Sequence, residues 1–142
     1  MNTILVTGGA GYIGSHTTIE LIKAGYDVVI VDNLSNSNAG MIDGIERITG
    51  TRPAFYQVDC NDKDAMKDVF ENNKGIKGII HFAASKAVGE SVQKPLMYYR
   101  NNLVSFMNII DLMRETGRHN IVFSSSATVY GDADELPVTE LT

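Results

Sequence analysis

The sequence has a single cysteine, Cys60, so no disulfide can close within one chain. Cys60 follows an apparent strand, where a lone, half-buried thiol is the ordinary expectation. Lysine and arginine form no block, and the formal net charge is −5. A nucleic-acid partner requires a basic face and is therefore not expected. An anionic ligand would have to be held by local groups. Long apolar runs are absent as well. Val28-Val29-Ile30-Val31 lasts a few residues, against the roughly 20 that a membrane span requires. The opening Met1-Asn2-Thr3-Ile4-Leu5-Val6 runs straight into a strand, without the basic region or cleavage site of a targeting segment. The cytoplasm is the expected location. No repeat and no low-complexity segment is found, and no His, Cys or carboxylate cluster has metal-ligand spacing, so no metal is expected.

With 142 residues, 44% hydrophobic and 20% charged, the chain is long enough for one compact domain and too short for two. Residues 1–142 are read as that one domain. Strand-like and helix-like segments alternate along it. Ile4–Thr7 is a short β-rich run, followed by glycines and a helical pattern from Tyr12 to Ala24. There Ile13, Thr17, Leu21 and Ala24 recur at helical spacing, and Gly25 is a natural terminator. Asp27–Asp32 is a second strand, apolar through its middle as a strand covered on both faces reads. A polar stretch, Asn33–Asn38, leads to a helix over Ala39–Ile48, and Ala54–Val58 is a third strand. Asp62–Asn73 reads as a helix with Asn61 or Asp62 as cap and Met66, Val69 and Phe70 inward. Gly78–Phe82 is a fourth strand. Pro95 opens a long helix, Leu96–Thr116, whose apolar face is Leu103, Phe106, Ile109, Ile110 and Met113. Asn120–Phe123 is the fifth strand, and no further element is expected after Ser126. Parallel strands need right-handed crossovers, so this alternation predicts a doubly wound, mainly parallel α/β sheet; with the glycine motif described next it reads as the Rossmann type, strand order 3-2-1-4-5. Ending in a loop after its fifth strand, it reads as a truncated example.

The most informative segment is Val6-Thr7-Gly8-Gly9-Ala10-Gly11-Tyr12-Ile13-Gly14. It holds Gly9-x-Gly11-x-x-Gly14, follows a strand, opens a helix, and is succeeded by Asp32 at the end of the second strand. That context lifts a weak motif to a strong one. The first glycines permit the tight turn. Gly11 lacks the side chain that would hold a pyrophosphate off the backbone, and Gly14 lets the helix pack closely on the sheet. Unpaired N–H groups at the helix start, with its positive dipole end, suit phosphates. A carboxylate at Asp32 suits ribose hydroxyls and repels a 2′-phosphate, which favours NAD over NADP. Gly8, Asp32, Asp59, Phe82 and Ser124 all end or follow a predicted strand, so they converge on the carboxyl edge of the sheet, at its switch point.

The segments LVTGGAGYIGSHT (Leu5–Thr17), VDNLSNS (Val31–Ser37), IIHFAASKAVGESVQKPLMYYRNN (Ile79–Asn102) and IVFSSSATVYGD (Ile121–Asp132) together resemble the UDP-glucose 4-epimerases. These are extended short-chain dehydrogenase/reductases of galactose metabolism that interconvert UDP-galactose and UDP-glucose through a 4-keto sugar. The resemblance implies NAD as cofactor. It places the pyrophosphate on Gly8, Gly11, Tyr12, Ile13 and Gly14, and the adenosine ribose among Asp32, Asn33, Asn36 and Ser37. Asp59 and Cys60 would lie beside the adenine, and Phe82, Ala83 and Ala84 along the cofactor cleft. Lys86 would reach the nicotinamide ribose, Asn101 would complete the shell, and Ser124 would sit near the nicotinamide. Ser126 matches the catalytic serine that hydrogen-bonds the sugar 4′-hydroxyl. A homodimer of the whole enzyme, joined in part through helices around Leu96–Thr116, is implied too.

On the residues alone, Lys86 reads as a solvated lysine in a polar loop and Ser124–Ser126 as turn chemistry. Tyr98 and Tyr99 open a helix and more often pack than catalyse. His81 reads as a satisfied core histidine, and His16 and His119 as ordinary polar positions. The family's catalytic tyrosine stands four residues before a lysine, one helical turn away on the same face, where the positive charge favours the phenolate. None of the six tyrosines here has that lysine. The resemblance places the YxxxK after Thr142, with the sugar- and uridine-binding region, so this chain is expected to bind NAD without catalysing. Two other readings stand beside this one. The parent is another extended short-chain nucleotide-sugar enzyme, a dehydratase or a different epimerase, or the chain is a non-catalytic NAD-binding or dimerisation module.

Overall fold

The computed structural model describes residues 2–142. Five parallel strands form one sheet in the order β3-β2-β1-β4-β5, which is the expected topology. The strands are β1 (Thr3–Thr7), β2 (Asp27–Asp32), β3 (Ala54–Gln57), β4 (Ile76–His81) and β5 (Ile121–Phe123). Helices α1 (Tyr12–Lys23), α2 (Gly40–Thr49) and α3 (Lys63–Asn72) lie in the first connections. The fourth carries α4 (Val88–Gln93), α5 (Pro95–Tyr99), a π-helical turn (Arg100–Val104) and α6 (Ser105–Glu115).

β2 shows why its sequence is apolar throughout. Successive side chains of a strand point to opposite faces. Val29 and Val31 join Leu5 and Ile79 in a core with Met66, Val69 and Phe70 of α3 and Ile109, Leu112 and Met113 of α6. Val28 and Ile30 join Val6 in a second core with Ile19 of α1 and Ile42 and Ile45 of α2. The central strands β1, β2 and β4 are therefore covered on both faces, whereas Val122 and Phe123 of the edge strand β5 are exposed. Local signals set the helix limits. The Asp62 side chain accepts from the Ala65 N–H at 3.0 Å and caps α3. Gly25 follows α1 in a left-handed conformation, φ 88°.

Several helical expectations need correction. The buried face of α1 is Gly14, Ser15, Thr18 and Ile19, while Ile13 is exposed and Leu21 only half-buried. Small residues let this helix press on the glycine turn, so hydrophobicity alone points to the wrong face. In the long helical stretch, Ile109 and Met113 are buried as expected and Phe106 is half-buried. Leu103 and Ile110 are exposed, and Ser105 and Leu112 are buried instead. Leu103 lies in the π turn, where uniform α spacing does not hold, and within α6 the inward face runs through Ser105, Ile109, Leu112 and Met113 and leaves Ile110 outside it. The short α4 and a 3₁₀ turn over Ala127–Tyr130 were not expected at all. β4 ends at His81, which leaves Phe82 in the loop beyond it. Among the described residues, no helix is long and apolar enough to cross a membrane.

Candidate functional site at the carboxyl edge of the sheet

β1 gives way to α1 through the glycine turn, and two close approaches explain its composition. Gly8 has φ 70°, and a Cβ there would lie 2.9 Å from the Ala83 nitrogen. A Cβ on Gly14 would collide with the Gly8 carbonyl oxygen and lie 2.8 Å from the Gly9 Cα. Gly14 thus makes room for the turn itself, where the sequence suggested room for the sheet. The Gly11 N–H donates to the Gly8 carbonyl at 3.1 Å, and the Ser15 N–H to the Gly11 carbonyl at 2.9 Å. Gly11 caps α1 without a side-chain bond, so the first N–H groups of the helix have no partner within it. Tyr12 and Ile13 stand exposed at this end.

Asp32 is buried at the end of β2 and faces the turn. Its Oδ2 accepts the Ala10 N–H at 3.1 Å, and Oδ1 accepts the Leu34 N–H and the Ser37 hydroxyl, both at 2.8 Å. A carboxylate offers about four lone-pair positions, so three bonds leave it able to accept from a ligand hydroxyl. The same bonds fix the loop that carries Asn33, Asn36 and Ser37.

A chain of polar contacts runs from there around the rim. The Asn33 amide donates to Asp59 Oδ2 at 3.3 Å, and the Asn61 side chain donates to Asp59 Oδ1 at 2.9 Å and to Asn101 Oδ1 at 2.7 Å. Asn101, in the π turn, donates to the Ser85 hydroxyl at 2.8 Å. Asn102 holds the Ser85 backbone twice, accepting its N–H at 2.7 Å and donating to its carbonyl at 2.9 Å. The loop after β4 is anchored further by Tyr98, whose hydroxyl donates to Glu90 at 2.9 Å and accepts the Ala87 N–H at 3.1 Å. Burial first, then the neighbouring Glu90, raise the Tyr98 pKa above the ordinary phenol value, the wrong direction for a phenolate base.

Gly8, Asp32, Asn33, Asp59, Phe82, Ala83, Asn101 and Ser124 thus gather on one edge. The Phe82 N–H donates to the Thr7 carbonyl and the Ser124 N–H to the His81 carbonyl, each at 3.1 Å. Asn36, Ala84 and Lys86 are exposed on the loops around it. The side-chain bonds of Ser126 stay within its own 3₁₀ turn, where its hydroxyl is 2.7 Å from Thr128 Oγ1. Cys60 is fully buried rather than half-buried. Burial, helped by Asp59 and Asp32, pushes its thiol up to about 12, so it carries no thiolate chemistry. Sequence reasoning missed Asn61, Ser85, Glu90 and Asn102, as well as the bonding role of Tyr98. The only available signal was the density of Asn and Ser in segments next to strand ends.

A family model described as GDP-mannose 4,6 dehydratase matches residues 5–142. The chain belongs to that family. Within it, the resemblance drawn from four segments is matched by the relatives found. A UDP-glucose 4-epimerase of Schizosaccharomyces pombe is 56% identical over 130 residues, which are 92% of this chain and 36% of that protein. The UDP-glucose 4-epimerase of Bifidobacterium longum, solved in complex with NAD+ and UDP, superposes with a TM-score of 0.94 at 50% identity, over 98% of this chain and 41% of that one. The enzyme of Stenotrophomonas maltophila, solved with NAD and formylated UDP-arabinopyranose, gives a TM-score of 0.93 at 47% identity, over 99% of this chain and 41% of that one. The chain spans about two fifths of the length of the relatives it matches.

Proposed function

We propose that residues 1–142 form the NAD-binding domain of a cytoplasmic UDP-glucose 4-epimerase, and that this chain alone binds NAD without epimerising a sugar. The observation that carries the cofactor reading is the Asp32 carboxylate, turned onto the glycine turn through the Ala10 N–H and still able to accept another donor. The residues fit the group. The uncapped start of α1 offers N–H groups and the positive end of its dipole to a diphosphate. The missing side chains at Gly8 and Gly14 let the turn close against Ala83 and against the start of α1. Asp32 accepts from the adenosine ribose and disfavours a 2′-phosphate, with Asn33, Asn36 and Ser37 around the sugar. Asp59 and Cys60 flank the adenine. Phe82, Ala83, Ala84, Lys86, Asn101 and Ser124 line the nicotinamide half. NAD held there supplies the acceptor and donor of hydride. Ser126 contributes a hydroxyl that hydrogen-bonds the 4′-oxygen of a UDP-sugar, which is the substrate of the whole enzyme.

Calorimetric titration of the purified chain tests the reading. NAD should bind and NADP should bind at least about tenfold more weakly. Asp32→Asn should narrow that preference, and Gly14→Ala should abolish binding by pushing α1 off the turn. No heat with NAD, or equal affinity for both dinucleotides, would refute the assignment. Turnover of UDP-galactose by the chain alone would refute the expected lack of catalysis. The description of the matching family keeps a second reading in view, in which the parent is a nucleotide-sugar dehydratase. Assaying the parent on UDP-glucose against other nucleotide sugars separates the two. We further propose that the whole enzyme is a homodimer joined in part through α5 and α6. Leu96, Tyr99, Leu103, Met107 and Ile110 are exposed on these helices and the π turn between them, and their apolar surface suits a second copy.

A further inference from the structure

Thr7 and His81 end the two strands at the centre of the site. Thr7 is fully buried and immediately precedes Gly8, while His81 is 2% exposed and immediately precedes Phe82 and Ala83. Thr7 Oγ1 and His81 Nδ1 are 2.6 Å apart. The same oxygen accepts the Ala83 N–H at 3.4 Å. With one proton and two lone pairs, the hydroxyl can accept the Ala83 N–H and bond His81 Nδ1 at the same time, so it ties the ring to the loop backbone in either ring tautomer. Neighbours hold the ring in place. Its centroid lies 5.9 Å from that of Phe106 of α6 and 5.9 Å from that of Phe123 of β5. The His81 carbonyl accepts the Ser124 N–H. One residue thus connects to three of the loops at the sheet edge: the glycine turn through Thr7, the loop after β4 by chain continuity, and the loop after β5 through Phe123 and Ser124. No role assigned to the site above uses either side chain.

We propose that His81 is a positioning residue for the dinucleotide, acting through the Thr7 hydroxyl to fix the gap between the glycine turn and the Phe82–Ala83 loop. The inference rests on the NAD reading above. The gap leaves little slack, because a single added methyl carbon on Gly8 would lie 2.9 Å from the Ala83 nitrogen. A shift of that loop is transmitted directly to the backbone that faces the diphosphate. Burial keeps the ring neutral, with its pKa lowered to about 4. Geometry of this kind changes ligand affinity without touching the ligand.

The test is titration of NAD into the wild-type chain and into T7S, T7V, H81F and the T7V/H81F double variant, each first shown to be folded by circular dichroism. T7V and H81F should weaken binding roughly tenfold, and T7S should stay within about threefold of wild type. Because both changes remove one contact, the double variant should bind no more weakly than T7V alone. Folded T7V and H81F that bind like wild type overturn the inference, and so do losses that multiply in the double variant. Wild type failing to bind NAD overturns the cofactor reading and this inference together; wild-type binding with unaffected variants overturns this inference alone. A measurement on the wild type needs no variant to fold. The His81 ring ¹⁵N shifts should report a neutral ring and should move when NAD binds. A charged ring, or shifts indifferent to NAD, would also overturn it.

Discussion

Burial acts in opposite directions on the two titratable groups at the heart of the molecule. It raises the Cys60 thiol and lowers the His81 imidazolium, because each is held in its neutral form. For His81 the consequence is a dependence of stability on pH. The unfolded chain takes up a proton near pH 6.5, whereas the folded chain does so only near 4. Between these values the unfolded state binds more protons, so stability falls as pH drops through that window and levels off below it. Two and a half pH units correspond to about 3 kcal/mol at most. Urea denaturation of wild type and His81→Asn across pH 4 to 7 isolates the effect from the carboxylates. The wild-type curve should lose about 3 kcal/mol relative to the variant on acidification, and parallel curves would show that His81 does not titrate this way. At this scale the sequence was legible wherever a residue's role depends on near neighbours. The glycine turn and Asp32 are read from spacing alone. The Asn61–Asn101–Ser85 bonds join the loop after β3, the π turn and the loop after β4, and nothing in the order of residues shows that those segments meet.

Among the elements, the join between α3 and β4 depends on a residue from far along the chain. Arg118, just after α6, donates from Nε to the Ile76 carbonyl at 3.0 Å, and more weakly from Nη2 to the carbonyls of Asn73 and Lys74 at 3.4 Å. Its guanidinium carbon lies 5.2 Å from the Phe70 ring centroid. It therefore places positive charge at the carbonyl end of α3, where the helix dipole favours it. Arg118→Ala should lower unfolding free energy by about 2 kcal/mol in urea. Arg118→Lys should recover less than half of that, because an ammonium lacks the planar fork that reaches several carbonyls. Full recovery by lysine would show that charge alone matters. This scale also shows where helix faces mislead. α3 was legible because its inward residues, Met66, Val69 and Phe70, are the large apolar ones at helical spacing. α1 was not, since it buries glycine, serine and threonine against a turn, and close backbone approach has no hydrophobic signature. Leu103 left its expected face because a π turn that no propensity in Arg100–Val104 announces interrupts the α spacing there.

For the molecule as a whole, the doubly wound parallel sheet followed from alternation and the handedness of crossovers, the order of its strands came with the glycine motif of the Rossmann type, and the sheet matches it strand for strand. What lay outside the sequence's reach was which apolar side chains stay uncovered. Leu96, Tyr99, Leu103, Met107 and Ile110 were indistinguishable from core residues until the π turn turned some of them outward. Such a face on one monomer marks an interface more often than chance exposure. If two copies meet there, replacing Leu103 and Met107 together with glutamate should place charge in a desolvated contact and separate them. Both side chains are more than half exposed, Leu103 at 54% and Met107 at 57%, so the double variant should fold as wild type does. Neither bonds to the glycine turn or to Asp32, so NAD affinity should change by no more than about twofold. Sedimentation velocity at tens of micromolar decides the matter: wild type should run as a dimer and the double variant as a monomer. A wild type that sediments as a monomer leaves this face without a second copy, and a double variant that still dimerises moves the contact to another surface.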